Sequence, residues 1–189
     1  MVSSDFLNIL RIEVLQYTAG NIKNYLQYWL TLTKNQWILN IIQYGLKLDF
    51  IDIPCQNKKN QNTLSIEELD IIDLEIEKLL TKKVVTYSKH EPGEFISGIF
   101  TRPKKDGSKR MILNLKKLNL HIEYNKFKME SLQNVLQCME RNCYMASVDL
   151  KDAFFSVPIY SEHQKYLKFT HRDQLYKFIS MPIMVMDQQ

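Results

Sequence analysis

The run Ser147-Val148-Asp149-Leu150-Lys151-Asp152-Ala153-Phe154-Phe155-Ser156-Val157-Pro158-Ile159 places two carboxylates three residues apart, followed at once by two aromatics. A carboxylate at a strand end is rigidly held. A hard cation such as Mg²⁺ binds through one or two carboxylates plus the phosphates of a substrate. Asp149 suits that task. If the chain turns helically after it, Asp152 comes round to the same side. An Asp ahead of a short helix also serves as an N-cap or a dipole partner. Two Asp residues alone do not separate these roles.

The elements around this run can be read from apolar period and turn chemistry. Tyr144 to Asp149 reads as a buried strand ending on the first carboxylate. Before it, Leu132, Val135, Leu136 and Met139 make an amphipathic helix. After it, Tyr166–Thr170 and Gln174–Ile179 read as a hairpin across His171-Arg172-Asp173. A second hairpin spans Ile96–Thr101 and Lys109–Leu115, with Asp106-Gly107 as the turn signal. Phe155 and Val157 are expected in the core.

Further upstream, Ser65-Ile66-Glu67-Glu68 matches a capping box. Leu69, Ile72, Ile76, Leu79 and Leu80 follow at helical spacing, so a helix should start at residue 66. Residues 54–63 are polar and Asn-rich and mark a loop and domain boundary. Ahead of that loop, Ala19–Trp29 and Asn35–Tyr44 read as two helices. Their apolar stripes are Ile22, Leu26, Trp29, Leu30 and then Trp37, Ile38, Ile41, Ile42. Gly45 is placed to stop the second helix.

Composition narrows the function classes. The 189 residues are 45% hydrophobic, enough for a core, and carry five Gly and five Pro, too few for long flexible linkers. Net charge is only +4, but Arg102–Lys128 holds nine Lys or Arg against two acids. A basic stretch of that kind suits a phosphate-bearing partner, or is an ordinary solvated face. Ser65–Leu80 is the converse, with six acids against one Lys. Cys55, Cys138 and Cys143 contain no Cys-x-x-Cys, which argues against a disulfide framework and for a reducing compartment. No zinc-ligand spacing, signal pattern or long apolar run is present. The expectation is an intracellular chain, in cytoplasm or nucleus, with no membrane partner.

Three blocks, in order, carry a resemblance. The first is Ser97–Asn119, containing Arg102-Pro103-Lys104-Lys105-Asp106-Gly107-Ser108-Lys109-Arg110. The second is the Asp149 run, with its closing Val157-Pro158. The third is Tyr166-Leu167-Lys168-Phe169-Thr170 with Leu175-Tyr176-Lys177-Phe178 and Met181-Pro182. Over roughly residues 65–182 the chain resembles a retroelement reverse transcriptase, an RNA-directed DNA polymerase. The Ala19-Gly20 region resembles the lead-in of DIRS-type retrotransposon polymerases. The resemblance implies an α+β fold: a partial right-hand polymerase, fingers and first part of palm, preceded by a helical N-terminal region. Residues 1–62 would be that helical region and its linker, and 63–189 the polymerase part.

It also implies roles. Asp149 and the Leu150 carbonyl would bind catalytic Mg²⁺. Asp152 and the Ala153 amide would hold the triphosphate of an incoming nucleotide. Phe154 would pack under the sugar, where a bulky ring leaves no room for a 2′-hydroxyl. Lys104 or Lys105 would reach the phosphates, and Arg110 would lie against the nucleotide, stacking and pairing through its planar guanidinium. The implied partners are an RNA or DNA primer–template and deoxynucleoside triphosphates; no oligomeric state is implied.

The pattern then breaks. The family continues past Met181-Pro182 with an aromatic-Gly-Leu run, a helix and a Tyr-x-Asp-Asp motif. Here Ile183–Gln189 follows instead, and no Asp-Asp pair occurs in the 189 residues. The expectation is a truncated polymerase piece, inactive alone, that binds Mg²⁺ weakly or not at all. Two alternatives stand beside it: a nucleic-acid-binding remnant without chemistry, and a helical interaction module at residues 1–50.

Overall fold

A computed structural model describes residues 17–56, 64–104, 107–123, 131–137, 139–142, 144, 146 and 149–182. The chain opens with a 3-10 turn, Asn21–Tyr25, running into α1 (Leu26–Leu32). α2 (Gln36–Tyr44) is started by Asn35, whose side-chain oxygen accepts from the Trp37 N–H at 2.9 Å. α2 falls where the sequence pattern puts it, whereas the helix expected over Ala19–Trp29 is a 3-10 turn over Asn21–Tyr25 followed by α-helix through Leu32. The buried stripe of α2 is different, however. Leu39 and Ile42 are buried, Ile38 and Ile41 only half-buried, and Trp37 is 65% exposed. The helix is rolled so that an i, i+3 pair points inward and the N-terminal tryptophan points out.

Gly45 ends α2 at φ 96°. The next residue, Leu46, forms a parallel bridge with Ile159: the Leu46 N–H donates to the Pro158 carbonyl at 2.8 Å, and the Tyr160 N–H to the Leu46 carbonyl at 3.0 Å. A Cβ on Gly45 would sit 2.6 Å from the Tyr160 nitrogen and 2.7 Å from the Ile159 carbonyl carbon. Gly45→Ala therefore meets both left-side backbone strain and a backbone clash. We expect a loss of about 2–4 kcal/mol, read from urea unfolding. A loss under about 0.5 kcal/mol would mean that this close approach does not form.

Residues 46–56 are laced onto the rest of the chain. Leu48 is buried, and its N–H donates to His163 Nδ1 at 2.9 Å. Burial and the nearby Lys47 hold the His163 pKa below its ordinary value, which keeps Nδ1 free to accept. Gln56 grips the Ile96 backbone in both directions, at 2.5 and 2.7 Å.

α3 (Ile66–Thr81) starts on the expected capping box: the Glu68 N–H reaches Ser65 Oγ at 3.3 Å, and the Ser65 N–H reaches Glu68 Oε2 at 3.0 Å. Its inner face is Ile72, Ile76 and Leu79. β1 (Val85–Tyr87) follows. β2 (Gly98–Pro103) and β3 (Lys109–Asn114) form the expected antiparallel hairpin, with Gly107 at φ 81° in the turn. α4 (Lys116–Asn119) is one short turn.

α5 (Leu132–Gln137) forms where the apolar spacing puts a helix, but every residue of it is exposed. The buried strand expected over Tyr144–Asp149 is not found at its described residues. Tyr144, Ala146 and Asp149 are exposed and lie in no strand, while residues 145, 147 and 148 fall outside the described set. Among the described residues no strand pairs with this segment.

β4 (Lys168–His171) and β5 (Gln174–Phe178) close the fold as the second expected hairpin, in a sheet of order β1-β5-β4. Phe169 and Tyr176 are cross-strand partners with rings stacked 5.2 Å apart. A bridge between Ile96 and Lys168 ties the start of the β2–β3 hairpin to this sheet. The core joins Ile72, Ile76 and Leu79 of α3 to Ile99 and Leu113 of the first hairpin, Phe169 and Phe178 of the second, and Phe155 and Ile159 between. Phe155 is core as expected, whereas Val157 is only half-buried. Among the described residues no helix is long and apolar enough to cross a membrane.

The β4–β5 turn lacks the glycine its geometry favours. Arg172 and Asp173 both take positive φ, 45° and 61°, the backbone of a type I′ turn. Asp73 on α3 holds it. Arg172 donates to both Asp73 oxygens at 2.7–3.1 Å, and His171 Nε2 lies 2.5 Å from Asp73 Oδ1. Hydrogen bonds from Arg172 and then His171 bring the Asp73 pKa down from 3.8 to about 2. A carboxyl lowered on folding stabilises fully above its unfolded pKa and loses that contribution as pH falls through the folded one. The Tm should therefore drop on the acid side between about pH 4 and pH 2. Asp73→Asn should flatten that limb, and an unchanged limb would place the acid sensitivity elsewhere.

Candidate functional site

The second carboxylate of the sequence motif sits in a turn built by its neighbours. Asp152 takes the left-handed conformation, φ 56° and ψ 30°, ahead of the 3-10 turn Ala153–Ser156. The Phe155 N–H donates to the Asp152 carbonyl at 3.0 Å, and the Val157 N–H to the Phe154 carbonyl at 3.1 Å. Phe155 drops into the core and anchors the turn, which leaves Phe154 on the other side, 54% exposed. Beyond it, Pro158 bridges to Ser180 and the Ile159 N–H reaches the Ile179 carbonyl at 3.0 Å. The turn is thereby fastened to the segment that follows β5.

The Asp152 carboxylate is not free. Lys82 Nζ, just past the end of α3, lies 2.6 Å from Asp152 Oδ2. The Tyr17 hydroxyl donates to the Asp152 carbonyl at 3.1 Å. Burial raises the Tyr17 pKa, with the Ser156 hydrogen bond working against that rise and the Asp152 charge adding to it. Neither Lys82 nor Tyr17 stood out in the sequence. The Lys82-Lys83 pair at a helix end reads as an ordinary dipole partner, and nothing local marks Tyr17. Asp149 and Leu150 are exposed, and among the described residues neither carboxylate nor side chain there has a partner.

The basic hairpin is a separate element. Lys104 and Arg110 are exposed, Lys109 is half-buried, and Lys105 lies outside the described residues. Arg102 faces Arg110 directly across the ladder. Like charges in that register cost stability unless something anionic lies over them. Among the described residues no carboxylate pairs with either. Lys109 differs: its charge acts on Glu68, whose pKa is lowered first by the Ser65 N–H, then by Thr101, and last by Lys109. The structure thus brings together Asp152, Ala153 and Phe154 in one turn. No hydrogen bond or ion pair joins Lys104 or Arg110 to that turn among the described residues.

The donor set bears on a metal. Among the described residues, no three His, Cys, Asp or Glu side chains are grouped to hold an ion. One exposed carboxylate at Asp149 and the adjacent Leu150 carbonyl can contribute to a single Mg²⁺ that arrives with substrate phosphates. A second ion about 3.5–4 Å away needs further oxygen ligands, and Asp152 is already engaged by Lys82. Among the described residues the donors do not make up a two-ion centre.

This architecture matches solved structures of a foamy viral protease-reverse transcriptase. One, in complex with dsDNA, superposes with a TM-score of 0.58 at 20% identity, covering 87% of this chain and 36% of that one. The native Prototype Foamy Virus protein gives 0.57 at 19% identity over 89% of this chain and 26% of that one. The chain has the reverse-transcriptase fold. A curated sequence points the same way: Polyprotein P3 of Commelina yellow mottle virus is 27% identical over 154 residues, 77% of this chain and 8% of the polyprotein. No protein-family model matches the sequence. The reverse-transcriptase-like chain therefore spans well under half the length of each of these relatives.

Proposed function

We propose that the chain is the fingers and first palm part of a retrotransposon reverse transcriptase, DIRS-type by its N-terminal lead-in, and that these 189 residues alone do not polymerise. The observation that supports the polymerase reading is the Asp149–Phe154 turn, fastened by buried Phe155 within a reverse-transcriptase fold. In this reading Asp149 and the Leu150 carbonyl are the metal-binding groups. Asp152, Ala153 and Phe154 face the nucleotide's triphosphate and sugar, and Lys104, Lys105 and Arg110 meet its phosphates. Mg²⁺ when bound would neutralise charge on the phosphate oxygens. The chain's own residues position the nucleotide through the turn and the primer–template through the hairpin. The module boundary stays at residues 62/63, although Leu48 packs in the core shared with α3. The site of action is intracellular.

Primer extension with the purified chain, in Mg²⁺ and in Mn²⁺, tests this. The expected result is no nucleotide addition above background. Fused to a polymerase remainder carrying Tyr-x-Asp-Asp, the same residues should support extension that Asp149→Asn abolishes. Phe154→Ala in that fusion should admit ribonucleotides. Extension by the 189 residues alone, lost in Asp149→Asn, would overturn the proposal.

A second reading is a nucleic-acid-binding remnant without chemistry. The Lys82–Asp152 ion pair, which engages the second carboxylate of the motif, favours it. Salt-dependent RNA binding without extension in the fusion would select it. The third, a helical interaction module, rests on exposed Tyr28, Leu32, Trp37 and Tyr44 in the N-terminal helices.

A further inference from the structure

Two segments far from it in the sequence converge on the Asp152 turn. The strap Tyr17–Gly20 reaches it from the N-terminal side: the Gly20 N–H donates to the Phe155 carbonyl at 2.8 Å, and Tyr17 donates to the Asp152 carbonyl at 3.1 Å. The same strap holds the end of α3, since the Ala19 N–H donates to the Lys82 carbonyl at 2.9 Å. Lys82 then returns to the turn through its side chain, 2.6 Å from Asp152 and 6.0 Å from the centre of the Tyr17 ring. The pair is partly shielded, with side chains 35% and 22% exposed. Unlike a fully solvated surface pair, it keeps part of its Coulomb attraction.

The electrostatics are informative. A carboxylate next to the place where a triphosphate would lie repels it. A cation locked on that carboxylate cancels the repulsion and holds the strained left-handed turn in one geometry. We infer that Lys82 is a positioning residue of the nucleotide site, neutralising Asp152 and, with the Tyr17–Gly20 strap, fixing the turn that faces the phosphates. This inference rests on the polymerase reading above, and it makes the N-terminal strap part of the site.

The test uses the full 189-residue chain as wild type, Lys82→Met, Asp152→Asn and the double variant. Two quantities are read: affinity for inorganic tripolyphosphate and for Mg²⁺·dTTP by calorimetry, and amide hydrogen exchange over residues 150–157. Lys82→Met should weaken binding of both probes about tenfold and speed exchange in the turn. Adding Asp152→Asn should recover most of the affinity but not the protection, because the repulsion is gone while the latch is still missing. Unchanged affinity and exchange in Lys82→Met would overturn the inference. Faster exchange with unchanged affinity would also overturn it, leaving Lys82 a structural latch only. If the wild type binds neither probe, the nucleotide reading itself falls. In that case the inference falls with it, whereas wild-type binding that Lys82→Met leaves unchanged overturns the inference alone.

Discussion

Lys168→Met is expected to destabilise the protein by about 3–5 kcal/mol, the cost of leaving a buried charge without its partner. The Lys168 side chain is fully buried. Its ammonium has three donors and three acceptors: the Lys89 carbonyl at 2.8 Å, Glu94 at 2.7 Å and Glu91 at 2.8 Å. Burial works against the charge on Glu94. Hydrogen bonds from Lys168 and His90, with the Glu91 N–H, outweigh it and bring the Glu94 pKa below its ordinary value. Methionine keeps most of the volume of the lysine stem, so the loss reads the charge network and not a cavity. Glu94 would then keep only His90 and the Glu91 N–H. Urea unfolding followed by circular dichroism measures the change. A loss below about 1 kcal/mol would show that the network is slack in solution. Glu94→Gln should cost less, because its amide oxygen still accepts from Lys168. In a double-mutant cycle the two changes should be strongly non-additive.

Replacing Lys104, Lys105, Lys109 and Arg110 together by alanine should weaken RNA or primer–template binding by roughly thirty- to a thousandfold near physiological salt. That follows from about 0.5–1 kcal/mol per screened charge. The more discriminating readout is the salt slope. Each lost phosphate contact should flatten log K against log salt by about 0.7–0.9, so the slope should fall by about three. Lys109 should contribute least of the four, because its charge already acts on Glu68. Arg110 should matter more, since it faces Arg102 across the ladder with no carboxylate partner among the described residues. A filter-binding titration in which the quadruple variant keeps both affinity and slope would remove the hairpin from the interface.

The candidate site was only half legible in the sequence. The Asp149–Phe154 run drew attention through residue type and spacing, and its aromatic pair divides as expected, Phe155 inward and Phe154 outward. What the run could not disclose is the company Asp152 keeps. Lys82 lies 70 positions away and Tyr17 135. Contacts at such separations leave no periodic trace, because neither partner needs a particular neighbour in its own segment. The strand expected over Tyr144–Asp149 is not seen at Tyr144, Ala146 or Asp149, and its other residues fall outside the described set. Its apolar residues satisfy a local pattern, but strands are stabilised by ladders, and among the described residues no strand pairs with this segment.

The sequence by itself determined those features whose energetics close within a few residues. The Ser65–Glu68 box, the Asn35 cap, the Gly45 helix stop and the Gly107 turn each satisfy backbone groups, or a backbone conformation, inside one turn of chain. The helices before residue 45 and the two hairpins follow from them, and with the motif order they carry the reverse-transcriptase fold. Tertiary structure alone decided the rest. It rolled α2 onto Leu39 and Ile42, and it buried Lys168 by bringing Glu91 and Glu94 to meet it. It held a glycine-free turn at Arg172–Asp173 with an aspartate from α3, and it tied Asp152 to Lys82. Each of these replaces water around a charge or a strained backbone with a partner distant in the chain, and only the packed fold can supply such a partner.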